Sequence, residues 1–134
     1  MDRVTRQKRS EIMKRIKGKN TAPEMIVRKL LHSLGYRYRL YVKNLPGKPD
    51  LVFPGRKKII FVNGCFWHGH GCVKGQLPKS RLEFWGEKIS SNISRDQKNQ
   101  ADLKESGWEI LIVWQCELKN INSVMHKMVT FLDK

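Results

Sequence analysis

Apolar side chains along this chain fall into two rhythms. Ile26, Val27, Leu30, Leu31 and Leu34 recur at intervals of three and four until Gly35, a spacing that lines them along one side of an α-helix. Ahead of them Thr21-Ala22-Pro23-Glu24 reads as a helix start, with Thr21 as N-cap, Pro23 in the first turn and Glu24 closing a capping box. Residues 36 to 42 then suit an exposed strand, Pro46-Gly47 a turn, and residues 50 to 53 a second strand. Pro54-Gly55 turns the chain again into Lys58-Ile59-Ile60-Phe61-Val62, a run apolar enough to be covered on both faces. Residues 81 to 106 read as a helix that Gly107 stops, and residues 108 to 114 as a further buried strand. Ile121, Val124, Met125, Met128, Phe131 and Leu132 mark a last amphipathic helix. The order helix, three strands, helix, strand, helix predicts a mixed α/β domain with a central sheet flanked by helices.

Composition adds an electrostatic argument. Twenty-seven Lys and Arg against twelve Asp and Glu give a formal charge of +15 over 134 residues, which points to a polyanionic partner, nucleic acid first. An anionic membrane surface would call for a basic amphipathic helix with large apolar residues opposite, and no segment has that form. No run of about eighteen apolar residues and no signal-peptide core is visible, so neither a membrane span nor export is expected. Residues 1 to 20, with Arg3, Arg6, Lys8, Arg9, Lys14, Arg15, Lys17 and Lys19, form a basic N-terminal arm ahead of one domain over 21 to 134. Three cysteines, an odd number, argue for a reducing, cytoplasmic setting in which thiols hold metal.

The thiols gather candidate chemistry around one loop. Cys65-Phe66-Trp67-His68-Gly69-His70-Gly71-Cys72, with Cys116 downstream, supplies two thiols, a choice of imidazoles and a closing thiol, as a tetrahedral structural zinc requires. His68 and His70 compete for the zinc position, and spacing does not choose between them. The imidazole left over could serve as general base for an attacking water. Asp50, at a strand entry, and the groups ending the next strand at Val62-Asn63 can converge on a hard cation such as Mg²⁺. Glu24 is explained by its cap, and it could add a second carboxylate if its helix start faces Asp50. Phe66, Trp67 and Trp85 fit no core period and suit stacking on bases or wedging between them. Lys88 and Asn92, four apart, share a helix face that Asp96 continues, and their donors and acceptors suit base edges.

Taken together, Thr21-Ala22-Pro23-Glu24, Leu45-Pro46-Gly47-Lys48-Pro49-Asp50, Ile60-Phe61-Val62-Asn63-Gly64-Cys65-Phe66-Trp67-His68, Glu83-Phe84-Trp85-Gly86-Glu87-Lys88-Ile89 and Gly107-Trp108-Glu109-Ile110-Leu111-Ile112-Val113-Trp114-Gln115-Cys116 resemble the very-short-patch repair (Vsr) T:G mismatch endonucleases. The resemblance covers nearly the whole chain. It implies a restriction-endonuclease-like fold and a Mg²⁺-dependent single-strand cut on the 5′ side of the mismatched thymine in double-stranded DNA, the repair of deaminated 5-methylcytosine. By the same resemblance, Asp50 and the Val62 carbonyl would bind the magnesium, His68 would be the general base, and Glu24 would support the water around the metal. Cys65, His70, Cys72 and Cys116 would hold the structural zinc. Phe66, Trp67 and Trp85 would enter beside the mismatch from one groove and Met13 from the other, while Lys88 and Asn92 would read the wobble pair.

Two departures stand out. The family pattern has His where this chain has Asn63, which can hydrogen-bond a water but cannot titrate, and Thr where this chain has Val62. The Glu-x-Lys half of the wider nuclease signature is absent, as in the family. A nickase of this kind can work as a monomer, with contacts to other mismatch-repair proteins. The competing readings are a zinc-stabilised mismatch or DNA-structure binder without cleavage, and a nuclease of the same fold with another DNA target.

Overall fold

The computed structural model describes residues 21–40, 42–65 and 82–134. The helix start read from Thr21 is formed: helix α1 spans Ala22–Ser33, and the Thr21 hydroxyl and Glu24 carboxylate close a reciprocal capping box. Of its apolar stripe, Val27 and Leu31 are fully buried, whereas Ile26 and Leu34 stay exposed at the margins. Gly35, at φ +94°, takes the left-handed turn that ends the helix, a conformation disfavoured for residues with a Cβ.

Strand β1 (Leu51–Phe53) pairs antiparallel with β2 (Lys58–Asn63), and β2 pairs parallel with β3 (Glu109–Trp114). The sheet order is β1-β2-β3, so β2 is central, and all six of its residues are buried as the apolar run predicts. The parallel step is bridged by the long helix α2 (Leu82–Glu105), and α3 (Ile121–Leu132) closes the described fold.

Alternation along the strands separates two cores. Leu51, Phe53, Ile60, Val62 and Val113 pack with Val27 and Leu31 of α1 and with Val124, Met128 and Leu132 of α3. Val52, Ile59 and Phe61 pack with Leu103 of α2 on the other face. Helices therefore cover both sides of the sheet. Each of the larger buried side chains contributes about 1.5–3 kcal/mol through removal from water. At the sheet end where β2 begins, the buried Lys58 Nζ donates to the carbonyls of Phe131, Leu132 and Lys134 at 2.6, 3.4 and 3.4 Å, holding the end of α3.

Two expectations need correction. The strand read over residues 36 to 42 reduces to one antiparallel bridge between Arg39 and Val52. Tyr36, Tyr38 and Leu40 do turn inward in alternation. Their partner β1, however, is three residues long and ends at Pro54, which has no N–H to extend a ladder. The strand read over 108 to 114 begins at Glu109, and only Val113 in it is fully buried. It pairs with β2 alone, and the neighbouring Trp108 ring lies under Lys57, whose Nζ is 4.6 Å from the ring centroid.

Candidate active site

A tight loop delivers the first carboxylate. Gly47 and Lys48 both have positive φ (78° and 46°), and a Cβ on Gly47 would meet the Asn99 Cβ of α2 at 3.1 Å. The loop thus rests closely on α2, where a side chain at position 47 would press on Asn99. Pro49 behind it is fully buried, which sets Asp50 one residue ahead of β1 and beside the end of β2. There the Asp50 Oδ2 accepts the backbone N–H of Val62 at 2.7 Å.

Helix α1 delivers the second. Glu24 is only 3% exposed, and its Oε2 accepts the Thr21 N–H at 3.2 Å while its Oε1 pairs with Arg28 Nη2 at 3.0 Å. Besides capping its helix, Glu24 lies beside Asp50. Burial pushes the Asp50 carboxyl up to about 7, and the charge of Glu24 pushes the same way. The Val62 N–H and, more weakly, the Arg28 charge favour its ionised form. A half-buried carboxyl so raised, beside a second carboxylate, is the oxygen-rich setting that a hard divalent cation stabilises. The donor set therefore fits Mg²⁺.

Arg28 is the residue that sequence reasoning missed. It is 8% exposed, on the face shared by Glu24, Val27 and Leu31, and its Nη1 also lies 3.4 Å from the Met25 sulfur. The available signal was Glu24 and Arg28 at a four-residue interval with Arg28 in line with core positions.

The remaining expected residues divide. Asn63 is buried at the end of β2, in register with Trp114 of β3. Two residues past each of these lie Cys65, buried, and Cys116, half-buried, so parallel pairing carries both thiols beyond the same end of the sheet. Cys116 sits in a 3-10 turn (Gln115–Lys119) anchored by Glu117, whose Oε1 accepts the Trp114 N–H and whose Oε2 pairs with Lys127, each at 2.9 Å. Among the described residues no group of three or more His, Cys, Asp or Glu is placed to hold a metal. His70 and Cys72, the other two expected zinc ligands, lie outside the described residues, as do His68, Phe66, Trp67, Met13 and the whole arm over residues 1 to 20.

At the start of α2, Phe84 is 45% exposed and stands edge-on to the half-buried Trp85, ring centroids 5.0 Å apart. Lys88 is exposed one turn on, and the Asn92 carbonyl oxygen accepts from Arg95 Nη2 at 3.1 Å. No helix among the described residues is long and apolar enough to cross a membrane.

A carboxylate pair set at the sheet margin of a mixed α/β domain, in a chain of charge +15, has the character of a nuclease. Comparison with known proteins makes this specific. The family described as DNA mismatch endonuclease Vsr matches residues 1–74. The chain is 52% identical over 132 residues to the Type II nicking enzyme V.XorIIP of Xanthomonas oryzae pv. oryzae, covering 98% of this chain and 97% of that protein. It is 49% identical over 119 residues to the Type II nicking enzyme V.NmeAIP of Neisseria meningitidis serogroup A, covering 89% and 85%. It is 39% identical over 129 residues to the DNA mismatch endonuclease Vsr of Escherichia coli, covering 96% and 81%. The chain belongs to the Vsr family, and with it to the DNA endonucleases.

Proposed function

We propose that this protein makes a Mg²⁺-dependent single-strand nick 5′ to the thymine of a T:G mismatch in double-stranded DNA. The observation that carries the reading is the half-buried Asp50 carboxylate, which accepts the Val62 N–H and lies beside Glu24 at the margin of the sheet. Family membership, and the name of the Escherichia coli relative as a mismatch endonuclease, support the substrate. Asp50 and the Val62 carbonyl would hold the magnesium, which when bound polarises the phosphodiester and stabilises its leaving oxygen. Glu24 accepts hydrogen bonds from water beside Asp50, and His68 takes the proton of the attacking water. Asn63 holds a water at the end of β2 without exchanging a proton with it. Cys65, His70, Cys72 and Cys116 would hold a structural zinc. Phe66, Trp67 and Trp85 enter the base stack, with Met13 from the opposite groove, and Lys88 and Asn92 read the wobble pair.

The test is strand-specific cleavage of end-labelled duplexes carrying a T:G pair or a matched T:A pair in varied flanking sequence, in Mg²⁺ and in chelator. A nick confined to the thymine strand of the mismatched duplex, lost in chelator and in Asp50→Ala, is expected. Equal cutting of matched duplex would overturn the mismatch assignment, and full activity of Asp50→Ala would overturn the site.

A further inference from the structure

A buried arginine in the first two turns of α1 calls for an explanation that helix stability does not supply. An exposed pair of opposite charges four residues apart stabilises a helix by about 0.3–0.5 kcal/mol without burying either partner. Here both side chains are less than a tenth exposed. Withdrawing two charges from water costs several kcal/mol each, and apolar replacement of a buried pair is commonly neutral or stabilising. An apolar residue at position 28, beside Val27 and Leu31, would meet the packing requirement more simply.

What Arg28 does supply is orientation. Its Nη2 holds Glu24 Oε1 at 3.0 Å while the Thr21 N–H holds Oε2 at 3.2 Å, so the Glu24 carboxylate is tied at both ends and cannot rotate. The same carboxylate lies beside Asp50, close enough for its charge to raise the Asp50 carboxyl. With both carboxylates ionised, two negative charges and one guanidinium leave a single net negative charge, which a divalent cation and one phosphodiester together neutralise.

We infer that Arg28 is a positioning residue for strand cleavage, acting through Glu24, whose carboxylate it fixes in the orientation that faces Asp50. The inference rests on the nicking reading above. It is tested with wild type, Arg28→Met, Arg28→Lys, Glu24→Gln and the double variant Glu24→Gln/Arg28→Met, all assayed below the lowest melting temperature of the set. Arg28→Met is expected to lower the nicking kcat about 10- to 100-fold, with KM for DNA unchanged within about threefold, and to weaken Mg²⁺ binding by calorimetry about tenfold. Arg28→Lys recovers part of the loss because its ammonium keeps the charge but not the fork. In the Glu24→Gln background, Arg28→Met changes neither quantity by more than about twofold, as two residues acting along one path require. Losses that are equally large with Gln at position 24, or an unchanged kcat with a raised KM, would overturn it. Failure of the wild type to nick any T:G duplex would remove the proposed function, and the Mg²⁺ calorimetry on the same proteins would then decide the coupling by itself.

Discussion

Asp50 lowers the stability of the fold that presents it, and Asp50→Asn should show this directly. Burial first, then Glu24, raises its carboxyl from 3.8 to about 7, net of the opposing Val62 N–H bond. A carboxyl whose folded pKa lies above its unfolded value binds its proton more tightly in the folded state, so stability falls as pH rises between the two values and levels off above the higher one. At about 1.36 kcal/mol for each unit, a shift of about three units corresponds to about 4 kcal/mol lost between about pH 4 and about pH 8 in the absence of metal. Asparagine keeps a carbonyl that can accept from Val62 N–H and carries no charge, so its stability does not follow this pH dependence. The variant should therefore be about 4 kcal/mol more stable than wild type at about pH 8 in chelator, and about equal to it near pH 4. Denaturant titration at a series of pH values reads the difference, and thermal melting should show a gain of roughly 12–20 °C at the alkaline end. The variant would meanwhile lose nicking activity. Equal or lower stability of Asp50→Asn at about pH 8, or an advantage that does not grow with pH, would refute the burial argument.

Three further outcomes follow from packing and from the thiols. Gly47→Ala should destabilise the protein by about 1–2 kcal/mol in denaturant titration, because the position has φ +78° and its new Cβ would meet Asn99 at 3.1 Å. Activity should fall with it, since that loop carries Asp50. Lys58→Met should lose about 1.5–3 kcal/mol by the same measurement, as the final carbonyls of α3 lose their buried ammonium donor. Cys116→Ala should abolish stoichiometric zinc in metal analysis of the purified protein, with a fall in melting temperature, and unchanged zinc content would remove Cys116 from the ligand set.

The start of α1 was legible in the sequence because capping is local: Thr21, Pro23 and Glu24 act on their own first turn, and three of the last helix's apolar positions, Val124, Met128 and Leu132, are buried as their spacing requires. Residues 36 to 42 misled because alternation reports which side chains turn inward, not whether a neighbour is long enough to build a ladder. The half-exposure of β3 was hidden for a related reason, since an apolar run does not say that its strand will pair on one side only. At the site, Asp50 and Glu24 were recognisable as residues, but their contact depends on the docking of α1 against the sheet, which no spacing encodes. Arg28 went unseen because a Glu and an Arg four apart look like an ordinary solvated pair until the helix is known to bury that face.

The parallel pairing of β2 with β3 also fixes when the site can exist. Asn63 and Cys65 meet the level of Trp114 and Cys116 only after the chain has run through all of α2 and returned, so the pairing is among the most non-local in the fold. Closing so long a loop is slow compared with forming either α1 or the β1–β2 hairpin. During synthesis the stretch with Glu24, Arg28 and Asp50 emerges early, while β2 waits with one edge open until β3 has left the ribosome. Competence to cut DNA is thus acquired late, as a property of the finished chain.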